Sequence, residues 1–93
     1  MGGYIGARAG TISATVANVP KVNAQDITAT DTTPEVTIIN NTHEDTDGGR
    51  EGKVIFKGQQ SGGEESTLAE IQGSHDGTAD DEKGDLIFRT NDG

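Results

Sequence analysis

Gly52-Lys53-Val54-Ile55-Phe56-Lys57 returns 32 positions later as Gly84-Asp85-Leu86-Ile87-Phe88-Arg89, and the fold of the chain is read outward from this pair. Each stretch is an apolar triplet between charged residues, about the length of an ordinary strand and without helical period. Applied without a gap, the same offset aligns Ile39 with Ile71, His43 with His75 and Thr46 with Thr78. Similar residues fill the register between them: Val36 with Leu68, Asn40 with Gln72, Thr42 with Ser74, and Glu44 with Asp76. A fixed period of this size is the signature of a repeat architecture, in which one unit leaves an apolar face for its neighbour to cover.

The unit reads as strand, acidic turn, strand. Four strands are expected, at residues 36–41, 53–57, 67–72 and 85–89, grouped into a first repeat at about 34–61 and a second at about 66–93. The segments between them, 43–51, 58–65 and 75–84, are rich in Gly, Asp, Thr and Ser. Glycine reaches positive φ there and aspartate bonds to its own backbone, so these are turns.

Strand parity places Ile39 and Ile71 on one face, and Val54 with Phe56 and Leu86 with Phe88 on another common face. These six side chains are the expected packing set of an assembled interior. The opposite parity carries Val36, Ile38, Leu68, Ile55 and Ile87 among Glu70, Lys53 and Lys57, so neither face reads as clean. A free two-layer sheet has one apolar and one polar face; apolar residues on both imply further burial against other chains. Cyclic symmetry supplies those chains most simply and covers strand edges that otherwise invite aggregation.

Composition points the same way. Only 29% of the 93 residues are hydrophobic, and Tyr4, Phe56 and Phe88 are the whole aromatic complement. A lone domain of this size ordinarily needs disulfides, a metal or partner chains, and the absence of cysteine removes the first. Fourteen glycines disfavour helix, since each costs about 1 kcal/mol relative to alanine in a helix interior. A net charge of −9 without a basic patch excludes nucleic acid as a partner. No apolar run approaches bilayer-spanning length and no secretory leader pattern is present, so membrane insertion is not expected.

Residues 1–25 are set apart: they contain Arg8 and Lys21 and no carboxylate, so of the total of −9, −11 falls on residues 26–93. With Ile12, Ala14 and Val16 alternating but little apolar bulk, this part is expected to be an extended arm that lies along something else. An arm free of acidic residues approaches an acidic partner without the repulsion met by the rest of the chain. Attachment unchanged by deletion of residues 1–20 would contradict that expectation.

No chemical site emerges. His43 and His75 are each followed by a carboxylate, but no spacing within one chain builds a metal site, and a histidine packed at a strand end is the simpler reading. Asp45, Asp47 and Glu51 faintly suggest a calcium loop, yet Asp45 aligns with Gly77 and Asp47 with Ala79 in the second repeat, so the ligands are not reproduced. No motif places a nucleophile beside a base. Neither enzyme activity nor a cofactor or metal is expected.

The second repeat, His75-Asp76-Gly77-Thr78 followed by Lys83-Gly84-Asp85-Leu86-Ile87-Phe88-Arg89-Thr90-Asn91-Asp92-Gly93, resembles the repetitive tail-fibre proteins of marine and cyanobacterial bacteriophages. The opening Tyr4-Ile5-Gly6 is similar to the starts of such fibres. The resemblance implies a mainly β, intertwined homotrimer made in the bacterial host cytoplasm and carried on the virion tail. Its N-terminal arm, with Tyr4, Ile5 and Gly6 as the anchoring residues, would dock to a tail adaptor, baseplate or tail-tube protein. The repeats would begin a shaft that projects a host-binding tip, and the natural chain is expected to continue past Gly93. Two other readings stand beside it: a calcium-dependent adhesion module of a bacterial surface protein, and a virion decoration protein.

Overall fold

The computed structural model describes residues 16–93, and among these it is mainly β, with no helix. Three strands, β1 (Gly52–Gln59), β2 (Glu65–His75) and β3 (Gly84–Thr90), form one antiparallel sheet in the order β1-β2-β3. Both connections are hairpins, so every paired strand is a sequence neighbour. The expected anchoring residues Tyr4, Ile5 and Gly6 lie outside the described residues.

The β1–β2 hairpin closes through Gln60 N–H to the Glu64 carbonyl at 2.8 Å and Gly63 N–H to the Gln60 carbonyl at 2.9 Å. Gly63 takes φ of +94°, a conformation costly for a side chain with Cβ. The longer β2–β3 turn is held by Asp76 N–H to the Lys83 carbonyl at 3.1 Å, and beyond β3 Asn91 N–H reaches the Leu68 carbonyl at 2.9 Å.

Three of the four expected strands form, and β2 runs further than the apolar run suggested. Gly73, just past the expected strand, stays in the ladder, facing Gly52 on one side and Leu86 on the other. The fourth, at residues 36–41, is absent: that segment carries no ladder, and with it the structure lacks the paired first repeat. In the single chain the segment meets only the start of β1, where Asn40 donates to the Glu51 carbonyl at 2.9 Å and Ile38 sits beside Gly52, and it makes no ladder there.

Residues directly opposite across a ladder share a face. The register Val54↔Ile71↔Phe88, with Phe56↔Ala69 and Gly73↔Leu86, therefore collects Val54, Phe56, Ala69, Ile71, Leu86 and Phe88 on one side. The other side carries Lys53, Glu70, Gln72 and Arg89. There Glu70 receives Arg89 at 3.0 Å and Lys53 at 3.8 Å, and Arg89 also donates to the Gln72 side-chain oxygen at 2.7 Å.

The two faces are thus better separated than strand parity alone suggested. Val36 and Ile38 are off the sheet, and Leu68 is the extra residue of a bulge, where Phe56↔Ala69 gives way to Lys57↔Thr67. Gly58 makes room for that bulge, since a Cβ there would lie 3.2 Å from Leu68 Cδ1. Only Ile55 and Ile87 interrupt the polar side.

Among the described residues no apolar side chain is buried, and the buried residues are polar: Gln72, Ser74 and His75.

Candidate assembly face

Five of the six side chains expected to pack, Val54, Phe56, Ile71, Leu86 and Phe88, stand together on one side of the sheet. Pleating alternates side chains between faces, and the antiparallel register brings the three strands into phase so that their apolar positions coincide. Phe88 is 70% exposed, Leu86 67% and Phe56 50%. The sixth, Ile39, is not brought to this face; it is 80% exposed in the strandless segment.

In the single chain this apolar face is left largely open to water. Soluble monomers rarely expose a contiguous patch of this kind, and such a patch marks an interaction surface.

One end of the sheet is closed by an arrangement of the two acidic loops that the repeat did not suggest. The repeat treats residues 44–51 and 76–83 as equivalent turns on separate hairpins. In the structure they pack against each other, because β1 begins where β2 ends. Gly48 N–H donates to the His75 carbonyl at 2.9 Å, and His75 N–H donates to the Gly49 carbonyl at 2.8 Å, extending the ladder past Gly52. Asp47 accepts from Gly77 N–H at 2.9 Å.

His75 sits at the centre of this junction, 2% exposed. Its Nε2 faces Asp81 Oδ1 at 2.9 Å and its Nδ1 faces the Thr46 carbonyl at 3.3 Å. The Asp81 carboxylate, accepting from the ring, raises the imidazole pKa above its ordinary value; burial and the nearby Arg50 charge oppose that, and the Thr46 carbonyl reinforces it. The same bond holds the Asp81 carboxyl below its ordinary value, helped by Lys83 N–H.

Arg50 ties both loops together. Its guanidinium donates to the Glu44 carbonyl at 2.6 Å, the Asp81 carbonyl at 3.0 Å and the Asp45 carboxylate at 2.8 Å. These bonds hold Arg50 at φ of 51°, which costs a non-glycine residue on the order of 1–2 kcal/mol. Sequence reading gave Arg50 no role, because its counterpart at the repeat offset is Glu82. The available signal was that it is the one cation in the acidic stretch from His43 to Glu51.

The two histidines are therefore not equivalent. His75 fits the reading of a ring packed at a strand end, while His43 is exposed on the loop. Of the carboxylates that suggested a calcium loop, Asp45 pairs with Arg50 and Asp47 accepts from Gly77 N–H. Among the described residues no group of three or more His, Asp or Glu side chains is placed to hold a metal ion.

No protein-family model matches the chain, and no curated protein or solved structure is similar enough to count as a relative.

Proposed function

We propose that this chain is a non-catalytic structural segment of a bacteriophage tail fibre. In this reading residues 1–25 attach the fibre to a tail adaptor, baseplate or tail-tube protein, and residues 26–93 begin a homotrimeric shaft projecting a host-binding tip. The observation that carries it is the apolar face of Val54, Phe56, Ile71, Leu86 and Phe88 on a sheet with no buried apolar residue. A chain held only by its ladders and loop contacts lacks the main term that offsets backbone ordering.

Copies of the same face supply that term. Fully burying one such side chain contributes about 1.5–3 kcal/mol, so covering the exposed part of five contributes on the order of 5 kcal/mol per copy. Three twisted sheets turned inward around one axis cover one another's faces and leave the Lys53, Glu70 and Arg89 side toward water. The absence of a catalytic role is favoured by the one histidine–carboxylate pair among the described residues, His75 with Asp81. Both ring nitrogens of His75 face acceptors and the ring is buried, so it offers no lone pair to a substrate.

Two substitutions of equal charge change test the reading. Phe88→Lys places an ammonium on the apolar face, and Ile55→Lys places one opposite Glu70 on the polar face. Sedimentation should find Phe88→Lys dissociated and Ile55→Lys still assembled. Equal behaviour of the two would contradict assembly through this face.

A further inference from the structure

The observed register of the second repeat specifies a strand that the single chain leaves unformed. We propose that residues 36–43 of one copy dock as an antiparallel strand along the outer edge of β1 in a neighbouring copy, with Ile39 opposite Phe56 and Asn41 opposite Val54. This rests on the assembly reading above and adds to it the segment, the edge and the register.

The register follows from the duplication. In the second repeat β2 faces β3 with Ile71↔Phe88, Gly73↔Leu86 and His75↔Gly84. Moving each partner back by 32 positions gives Ile39↔Phe56, Asn41↔Val54 and His43↔Gly52. The inner edge of β1 is taken by β2, and no strand among the described residues pairs with its outer edge. The bulge does not disturb that edge, because its extra residue, Leu68, lies in β2.

The chemistry of the segment suits the place. Val36, Thr37, Ile38 and Ile39 are consecutive β-branched residues, favoured in strands, and Val36, Ile38 and Ile39 are 79%, 54% and 80% exposed in the single chain. In the derived register Ile39 joins the face of Phe56, as Ile71 joins that of Phe88. All six side chains of the expected packing set then lie on one surface, as the duplication requires.

A second copy, and not the same chain, is the donor because the single chain holds this segment out of that register. A hairpin within one chain would set His43 against Gly52. In the structure Ile38 lies there instead, with its Cγ2 atom 2.9 Å from where a Cβ on Gly52 would be. Asn40 donates to the Glu51 carbonyl, Arg50 holds the Glu44 carbonyl, and Gly48 and Gly49 pair with His75. Exchange between copies frees residues 36–43 at the cost of the exposed Asn40 bond and leaves the loop closed.

The chain has no cysteine, so cross-linking reads the proposal directly. Asn41→Cys chains and Val54→Cys chains are unfolded, mixed in equal amounts, refolded together and oxidised; a 41–54 disulfide in that mixture joins two chains. A cross-linked dimer containing it is expected by peptide mass mapping, and its loss when Asn40→Cys replaces Asn41→Cys, because position 40 points to the other face. Absence of the 41–54 link, equal linking at position 40, or a doubly substituted chain that closes on itself at monomer mass would overturn the exchange. The native mass of the same mixture separates the two levels. A trimer without the link removes the exchange and leaves the assembly, whereas a monomer removes both.

Discussion

His75 occupies a position where a neutral imidazole can donate to only one of two waiting acceptors, so the charged ring fits its surroundings best. Because its pKa is raised on folding, this histidine contributes stability that is fully present below the ordinary value of 6.5 and is lost as pH rises through the raised value. Asp81 works in the opposite sense. Its lowered pKa gives a contribution present above the ordinary 3.8 and lost as pH falls through the folded value. The two overlap between about pH 3.8 and 6.5. Thermal midpoints of the protein should therefore decline as pH rises above the ordinary value of 6.5, and His75→Gln should remove most of that slope. A slope unchanged in the variant would contradict the role given to this ring.

At the scale of elements, the turns carry requirements that the strands do not. Gly63 closes the β1–β2 hairpin at positive φ with open space around it, so Gly63→Ala meets no clash and only the backbone cost remains. The variant should lower stability by about 1 kcal/mol in denaturant titration, and Gly63→Asn, which tolerates the left-handed region better, by less. An alanine variant as stable as the parent would place the turn elsewhere.

The strands show how much could be read without coordinates. Val54-Ile55-Phe56 and Leu86-Ile87-Phe88 were legible because apolar triplets between charges leave few other placements, and their parity predicted the shared face. Residues 36–41 carry an equally good strand pattern and form none in the single chain, where the outer edge of β1 is unpaired but the segment meets only its start, through the Asn40 bond to the Glu51 carbonyl; a pattern records what a segment can do and not where its neighbours hold it. The Arg50 and His75 junction was illegible for a different reason. It joins residues up to 31 apart through carbonyl groups, which leave no trace in side-chain type.

At the scale of the whole molecule, charge and burial set opposing demands. Each copy carries −9, and residues 26–93 hold all sixteen carboxylates, so bringing three copies together is resisted by self-repulsion while the apolar faces favour it. Added salt screens the first term, with a screening length near 10 Å at about 0.1 M, and leaves the second. Assembly should accordingly tighten as sodium chloride rises toward physiological strength, measured by the concentration at which the oligomer dissociates. An interface built mainly from ion pairs would weaken instead.

Sedimentation equilibrium combined with far-ultraviolet circular dichroism across a dilution series bears most directly on the claim that one copy cannot complete its own interior. A mass three times the 9.6 kDa of the chain is expected, with sheet signal and mass lost together on dilution. A 9.6 kDa species that keeps its sheet and unfolds cooperatively would contradict it.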